Sequence, residues 1–371
     1  MPDIPIGTAD SDDDDASARA AVERERAELQ DFIKGLSPSD IQSGRWFSKL
    51  LAMALAAYTA KVDWHYFQEK YRGVPADAIV DQRIKMAARY AAIEGGLSAT
   101  AYTAAIALTI GTAGGASPAV VPAGVATVML DVAYLTRLQL HLAYDVAVLY
   151  RVPFDLSDPD DLWKLVRVAF TIRSGELVRE GVIKGVPVVV RPVIKRFYSG
   201  PVLAAAKGLP VVGKFLLQRN LIKIGIPVVG IPLAVLVNRY STTIVGRHAR
   251  AIFRNEARVI EVAETLSERS KHPRLLLWVA WLVIKADDKI SDDEALLMRH
   301  LTRVVREQHR VIEERLTHVV DLDSDEVWRQ LEAEPGDKSE LVAGAKRVAE
   351  VDGALNALER GVIADLRARC E

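Results

Sequence analysis

Near the C-terminal end of this 371-residue chain, four acidic residues fall into two matching pairs. Asp287 and Glu294 stand seven positions apart in Ala286-Asp287-Asp288-Lys289-Ile290-Ser291-Asp292-Asp293-Glu294, and Asp352 and Glu359 stand seven apart in Val351-Asp352-Gly353-Ala354-Leu355-Asn356-Ala357-Leu358-Glu359. Each site has a turn residue after its Asp and an aliphatic residue three positions on (Ile290, Leu355). Two readings of this chemistry are open. In the mechanical one, Ser291 with Glu294 and Asn356 with Glu359 form capping boxes, each pair serving as the N-cap and third residue of a new helix. Gly353 would then take a left-handed conformation that closes the preceding helix. In the other, two helix–turn–helix units packed about a local pseudo-twofold bring Asp287, Glu294, Asp352 and Glu359 together as hard oxygen ligands. Such a set suits calcium, magnesium or manganese rather than a thiolate-seeking metal. Neither loop has the twelve-residue spacing of an EF-hand.

A second feature is electrostatic. Between Gly181 and Asn255 there is no Asp or Glu, yet the span holds twelve basic residues: Lys184, Arg191, Lys195, Arg196, Lys207, Lys214, Arg219, Lys223, Arg239, Arg247, Arg250 and Arg254. The whole chain sums to −1, so this +12 is balanced by −13 elsewhere. Segregation of this kind draws in a polyanion, either nucleic acid or the anionic face of a membrane. The residues between the charges are aliphatic, Gly and Pro, as in Gly225-Ile226-Pro227-Val228-Val229-Gly230-Ile231-Pro232. Rings able to stack on bases are few: Phe197, Tyr198, Phe215, Tyr240 and Phe253. Basic plus aliphatic favours an anionic membrane surface, with Lys184, Arg191, Lys195, Arg196, Lys207, Lys214, Arg219 and Lys223 as its contacts, and places nucleic acid well behind. The plain alternative is a core whose basic stems reach outward to water.

No enzyme signature emerges. Gly111-Thr112-Ala113-Gly114-Gly115-Ala116-Ser117 lacks the Lys of a phosphate-binding loop, and the seven histidines show no H-E-x-x-H spacing. There is no G-x-S-x-G elbow. The lone Cys370 excludes an intrachain disulfide framework and a multi-cysteine zinc site.

The elements that must carry these residues are helical. Trp46 to Lys61 is rich in Ala and Leu, and no alternating strand pattern persists; Val186 to Val190 is interrupted by Pro187. Gly95 to Leu130 carries no charge, but glycines and prolines break it near the middle. Each arm, Leu97 to Ile110 and Ala119 to Leu130, is shorter than the ~20 apolar residues of a spanning helix. An apolar hairpin is predicted, either buried in a core or dipping into one leaflet. Asp131 to Tyr150 then reads as amphipathic, with Leu135, Leu138, Leu142 and Val146 on one face and Arg137, Gln139 and Asp145 elsewhere. Ser157 to Asp161 reads as a turn and a helix start. The acidic beginning, with Asp12 to Asp15, reads as a disordered tail without a secretory signal, hence a cytoplasmic start. The expected division is a disordered tail over 1–36, a glycine-punctuated helical domain with the apolar hairpin over 37–256, and a smaller helical bundle over 257–371.

Two resemblances follow from these residues. Ala91-Ala92-Ile93-Glu94-Gly95-Gly96, the apolar hairpin and Asp131, together with Ile226-Pro227-Val228-Val229-Gly230, Asn238, Thr242, Thr243, Ala249 and Phe253, resemble the EcsC protein family over roughly 71–254. That resemblance implies a helical, membrane-associated bacterial protein without an established biochemical activity. From about His272 to Cys370 the chain is similar to the TerB-like helical domains of tellurite resistance and related stress systems, through Asp287/Glu294 and Asp352/Glu359. This implies a metal-responsive or interaction module; the departure is Asp288, where the family pattern usually has Gly. The combined expectation is an all-α, non-enzymatic protein of stress-response or envelope type, peripheral on the cytoplasmic face of a bacterial inner membrane. Its C-terminal domain would meet protein partners and a divalent cation. The competing classes are a metal-dependent hydrolase built on the carboxylate cluster and a nucleic-acid-binding protein.

Overall fold

The computed structural model describes residues 11–111, 117–170, 230–287, 289–310, 324–353 and 355–370. Every regular element among them is a helix, so the protein is all-α as its sequence predicts. The helices are α1 (Ser11–Lys34), α2 (Pro38–Ser43), α3 (Arg45–Thr59), α4 (Trp64–Lys70), α5 (Ala76–Gly111), α6 (Ser117–Leu149), α7 (Pro159–Ala169), α8 (Gly230–Arg269), α9 (Pro273–Ile284), α10 (Asp292–His309), α11 (Ser324–Ala333), α12 (Ser339–Ala349) and α13 (Ala357–Cys370). The described residues divide into two units, one up to Phe253 and one from Arg254.

Local chemistry sets several boundaries. Ser37 and Asp40 form a reciprocal capping box at the start of α2, with Pro38 at its first position, and Gly44 ends it at a φ of 78°. The Asp63 side chain accepts from Tyr66 N at 2.7 Å to start α4. Asp158 caps α7 with Pro159 next, at the helix start that the Ser157–Asp161 turn predicts.

In the first unit α6 is central, packed by α1, α3, α4, α5 and α7. Leu135, Leu138, Leu142 and Val146 are buried as their spacing predicts. The opposite face departs from an amphipathic helix: Thr136, Gln139, His141 and Asp145 are buried too. A helix buried on all sides needs partners for its polar groups, and these come from elements distant in sequence.

The disordered tail expected over 1–36 is corrected for most of its length. Residues 11–34 form α1, which packs on α5 and α6. Ala18, Ala21, Val22 and Leu29 share one helical face and are 0–7% exposed. Arg26 reaches Glu94 and Ser98, and Arg137 of α6 reaches Glu28 of α1. Half of the stripe is alanine, so the acidic composition around it conceals the pattern.

No helix among the described residues is long and apolar enough to cross a membrane. The two arms of the apolar hairpin lie in α5 and α6, which pack on each other.

In the second unit α9 is the hub, with α10, α11, α12 and α13 around it. All ten residues from Leu275 to Ile284 are buried. A helix apolar on every face has to sit at the centre of its bundle. Pro273 starts it without losing a helical hydrogen bond, since the first turn has no partner for that N–H.

Candidate functional site

The two acidic turns come together in the second unit, each at the start of a helix. At the first, Ser291 Oγ accepts from Glu294 N at 3.2 Å and Ser291 N donates to Glu294 Oε2 at 2.7 Å. At the second, Asn356 Oδ1 accepts from Glu359 N at 2.9 Å and Asn356 N donates to Glu359 Oε2 at 2.8 Å. Both capping boxes are therefore complete. Gly353, at a φ of 100°, sits in the left-handed region and its N–H reaches Glu350 O at 3.2 Å. Asp288 lies outside the described residues.

The turns are also joined to each other. Asn356 Nδ2 donates to Asp287 Oδ2 at 3.2 Å, while Asp287 Oδ1 accepts from Lys289 N at 2.9 Å. Arg258 of α8 adds a second tie. Its Nη2 donates to Asp293 Oδ2 at 3.0 Å beside the first turn and to Val351 O at 2.9 Å in the second. Asn255 Nδ2 holds the other oxygen of Asp293 at 2.7 Å. Sequence reasoning on the paired turns alone misses Arg258 and Asn255, whose contribution comes from another helix.

Electrostatics link the four carboxyls that the sequence singles out. Glu294 and Glu359 are each 3% exposed. Burial raises the pKa of Glu294, and the nearby charges of Asp352 and Glu359 raise it further against the opposing pull of its cap hydrogen bonds. Glu359 is raised in the same way, by burial first and then by Asp352 and Asp287. Each buried Glu thus feels the charge of a carboxyl from the other turn. The carboxyls do not form a cage as they stand: no group of three or more His, Cys, Asp or Glu is placed to hold a metal ion among the described residues. One oxygen of each Glu is taken by its cap, and both oxygens of Asp287 already accept hydrogen bonds.

No family model, curated protein or solved structure matches this chain.

In the first unit, Gly95, Asp131 and Asn238, three of the residues behind the EcsC resemblance, meet where α5, α6 and α8 cross, while Ile226–Val229 lie outside the described residues. Asn238 Nδ2 of α8 donates to Asp131 Oδ1 of α6 at 3.2 Å. A Cβ on Gly95 of α5 would stand 2.7 Å from Ala234 O of α8, so a side chain there has no room. Beside Gly95, Glu94 is fully buried. Its Oε1 accepts from Ser98 Oγ at 2.6 Å and from Arg26, while Oε2 has no hydrogen-bond partner among the described residues. Burial pushes the Glu94 pKa up to about 7, with Arg26 lowering it and Asp131 raising it.

One buried group has no signal in the sequence. Arg83 of α5 donates through Nε to Asp145 Oδ2 of α6 at 2.8 Å and through Nη2 to Tyr58 OH of α3 at 3.0 Å. Tyr58 OH in turn donates to Asp145 Oδ1 at 2.6 Å. The Tyr58 ring stacks on His141 at 3.7 Å between centroids, and His141 Nε2 lies 2.8 Å from Ala54 O. Burial opposes the guanidinium charge, but Asp145 more than offsets it and raises the Arg83 pKa above its usual value. Burial lowers the pKa of His141, which keeps its ring neutral. With Arg83 and Asp145 at 1% and 0% exposure, this network is out of reach of a substrate and ties three helices together.

Of the basic residues assigned to membrane contact, Lys184, Arg191, Lys195, Arg196, Lys207, Lys214, Arg219 and Lys223 lie outside the described residues. The last four of the span, Arg239, Arg247, Arg250 and Arg254, lie on α8. They divide by role: Arg250 donates to Asp81 at 2.6 Å and to Asp77 at 3.1 Å, both on α5, whereas Arg239 and Arg247 have no ion pair among the described residues.

Proposed function

We propose that this is a non-catalytic, peripheral membrane protein that binds an anionic lipid surface through the acid-free basic span of 181–255. The observation that carries the reading is the separation of charge: twelve Lys and Arg with no acid, set among aliphatic residues, in a chain whose net charge is −1. The setting that fits is the cytoplasmic face of a bacterial inner membrane, in a stress-response or envelope role. The test is co-sedimentation of the full chain with vesicles of phosphatidylcholine alone and with added phosphatidylglycerol, across a salt series. Binding that needs the anionic lipid and weakens with salt supports the proposal. Equal binding to both vesicles, or none to either, overturns it. A sub-micromolar gel shift with DNA or RNA at physiological salt would move the assignment to nucleic acid.

The second unit serves in this proposal as an interaction module. Negative charge gathered around two capped turns, with Glu294 near Asp352 and Glu359 and with Glu359 near Asp287, favours a divalent cation, calcium, magnesium or manganese, as a stabiliser of that unit. The cation relieves repulsion among Asp287, Glu294, Asp352 and Glu359 and so acts by mass action on the folded state. A melting temperature of the full chain that rises with one of the three cations supports this part. A transition indifferent to all three leaves the turns with their capping role alone.

A further inference from the structure

The N-terminal part of α8 presents an unusual surface. Its buried face is formed by Asn238, Thr242, Val245, Ala249 and Phe253, which recur at helical spacing. That face is pressed close: a Cβ on Gly246 would stand 2.6 Å from Ile84 and 3.1 Å from Leu142. On the opposite side Leu236, Tyr240 and Ile244 follow one another at four-residue steps and are 61%, 69% and 40% exposed. Among the described residues of the first unit the other exposed large apolar residue is Val74, at 36%, so there this kind of surface is concentrated in one row of one helix. Scattered apolar residues on a surface are ordinary, but a row on a single helix face is a feature to be explained.

The charges around the row point to its partner. Arg247 projects between Leu236 and Tyr240 when the helix is viewed down its axis at 100° per residue, and Arg239 flanks the row on one side. Both arginines are exposed and neither has an ion pair among the described residues. No Asp or Glu occurs on α8 before Glu256. An aliphatic and tyrosine row edged by uncommitted arginines matches the boundary between lipid headgroups and acyl chains. There the guanidinium groups meet phosphates and the tyrosine ring keeps its hydroxyl in water. From Leu236 to Arg247 the row extends about 16 Å along the helix, enough to lie flat on a surface.

We infer that the exposed row Leu236–Tyr240–Ile244 of α8, with Arg239 and Arg247, is a membrane-docking face that lies in the headgroup region of an anionic bilayer. This rests on the proposed function and adds to it a defined surface, distinct from the basic residues at 184–223. Two contributions are expected. The apolar row provides partitioning, and each arginine contributes about fivefold in affinity for an anionic surface, the factor that ~1 kcal/mol per basic residue gives.

The experiment uses the full chain in flotation with phosphatidylcholine vesicles with and without phosphatidylglycerol. Three forms are compared: the natural sequence, Leu236→Ser/Tyr240→Ser/Ile244→Ser, and Arg239→Gln/Arg247→Gln. All these positions are exposed, and unchanged circular dichroism melting establishes that the variants fold. The apolar variant is expected to lose at least about tenfold in partitioning, and the arginine variant about 25-fold on the anionic vesicles. A second readout reports insertion. In a Cys370→Ser background, an environment-sensitive dye on Tyr240→Cys is expected to shift to the blue on anionic vesicles, while the same dye on Glu69→Cys of α4 does not. If the natural sequence binds and both variants bind equally well, this inference falls and the proposed function stands on the remaining basic residues. If the natural sequence binds neither vesicle, both fall. If the chain self-associates without lipid and the apolar variant abolishes that, the row is an interface between copies and the inference is overturned.

Discussion

Glu94→Gln is expected to remove a pH dependence of stability that the natural chain carries. Burial raises the Glu94 pKa from 4.5 to about 7, with Arg26 working in the opposite direction. In the window between those values the folded state holds a proton that the unfolded state releases. The stability contribution is therefore fully present below the unfolded value and is lost as pH rises through the folded one. A displacement of this size is worth about 3 kcal/mol at 1.36 kcal/mol per unit, and Glu94 is fully buried, so solvent screening does not reduce it. Gln keeps the shape and an acceptor for Arg26 and Ser98 but cannot ionise. Denaturant unfolding of the natural chain and of Glu94→Gln at pH 5 and pH 8 isolates the effect, because all other titrating groups cancel in the difference. Between the two pH values, which span most of that displacement, the variant should gain about 2.5 kcal/mol relative to the natural chain. Arg26→Gln should enlarge the dependence by removing the charge that opposes burial. Parallel pH curves for the natural chain and Glu94→Gln would refute the reasoning. They would mean that the ion pair with Arg26 outweighs desolvation and holds Glu94 at an ordinary carboxylate value.

Other perturbations test the packing and the capped turns. Gly95→Ala places a Cβ 2.7 Å from a backbone oxygen that cannot swing away, and should destabilise by about 1–2 kcal/mol in a melt despite alanine's better helix propensity. Gly361→Ala has nothing within 4 Å of the new Cβ, and should stabilise by about 1 kcal/mol in the same assay. Arg83→Met strands Asp145 in the interior and should cost about 3–5 kcal/mol, while Arg83→Met/Asp145→Leu should recover most of that in denaturant titrations. Asn356→Ala removes the acceptor for two N–H groups and the donor to Asp287, and should cost about 1 kcal/mol or more. Glu294→Gln, by contrast, still completes its capping box and should cost little, yet should reduce any cation-induced rise in melting temperature.

What the sequence makes legible here is what depends on neighbours along the chain. Ser291/Glu294 and Asn356/Glu359 sit three residues apart, and hydrogen bonds over that distance are set by local helix geometry, so both capping boxes can be read directly. The Asp158-Pro159 start of α7 is legible for the same reason. Fold class follows from the absence of alternation. The failures involve long separations. Asp145 looks like the solvent face of α6 because its partner Arg83 lies 62 positions away, and Arg258 reaches Val351 across 93. The α1 stripe is missed because Ala18 and Ala21 bury little area each, and only the contact surface on α5 and α6 reveals that they are inside. Gly95 is a glycine in a helix until Ala234 of α8 is seen against it.

The buried charges of the first unit carry a physical argument about its design. Arg83 with Asp145, and Arg26 with Glu94, each join helices through ions that cost free energy to bury and that an apolar pair could replace. What such pairs give is selectivity among arrangements, since a helix shifted by one position leaves an ion unmatched. This matters where the surrounding residues discriminate poorly between registers. The faces involved are rich in alanine (Ala87, Ala88, Ala91, Ala133, Ala143, Ala147), which pack almost equally well in neighbouring registers. If the ions fix the register, the doubly apolar Arg83→Met/Asp145→Leu chain should match the natural stability but show a broader, less cooperative transition and bind a dye for loosely packed cores. A sharp transition without dye binding would show instead that the close fit of Gly95 and Gly246 against their neighbours suffices to set the register.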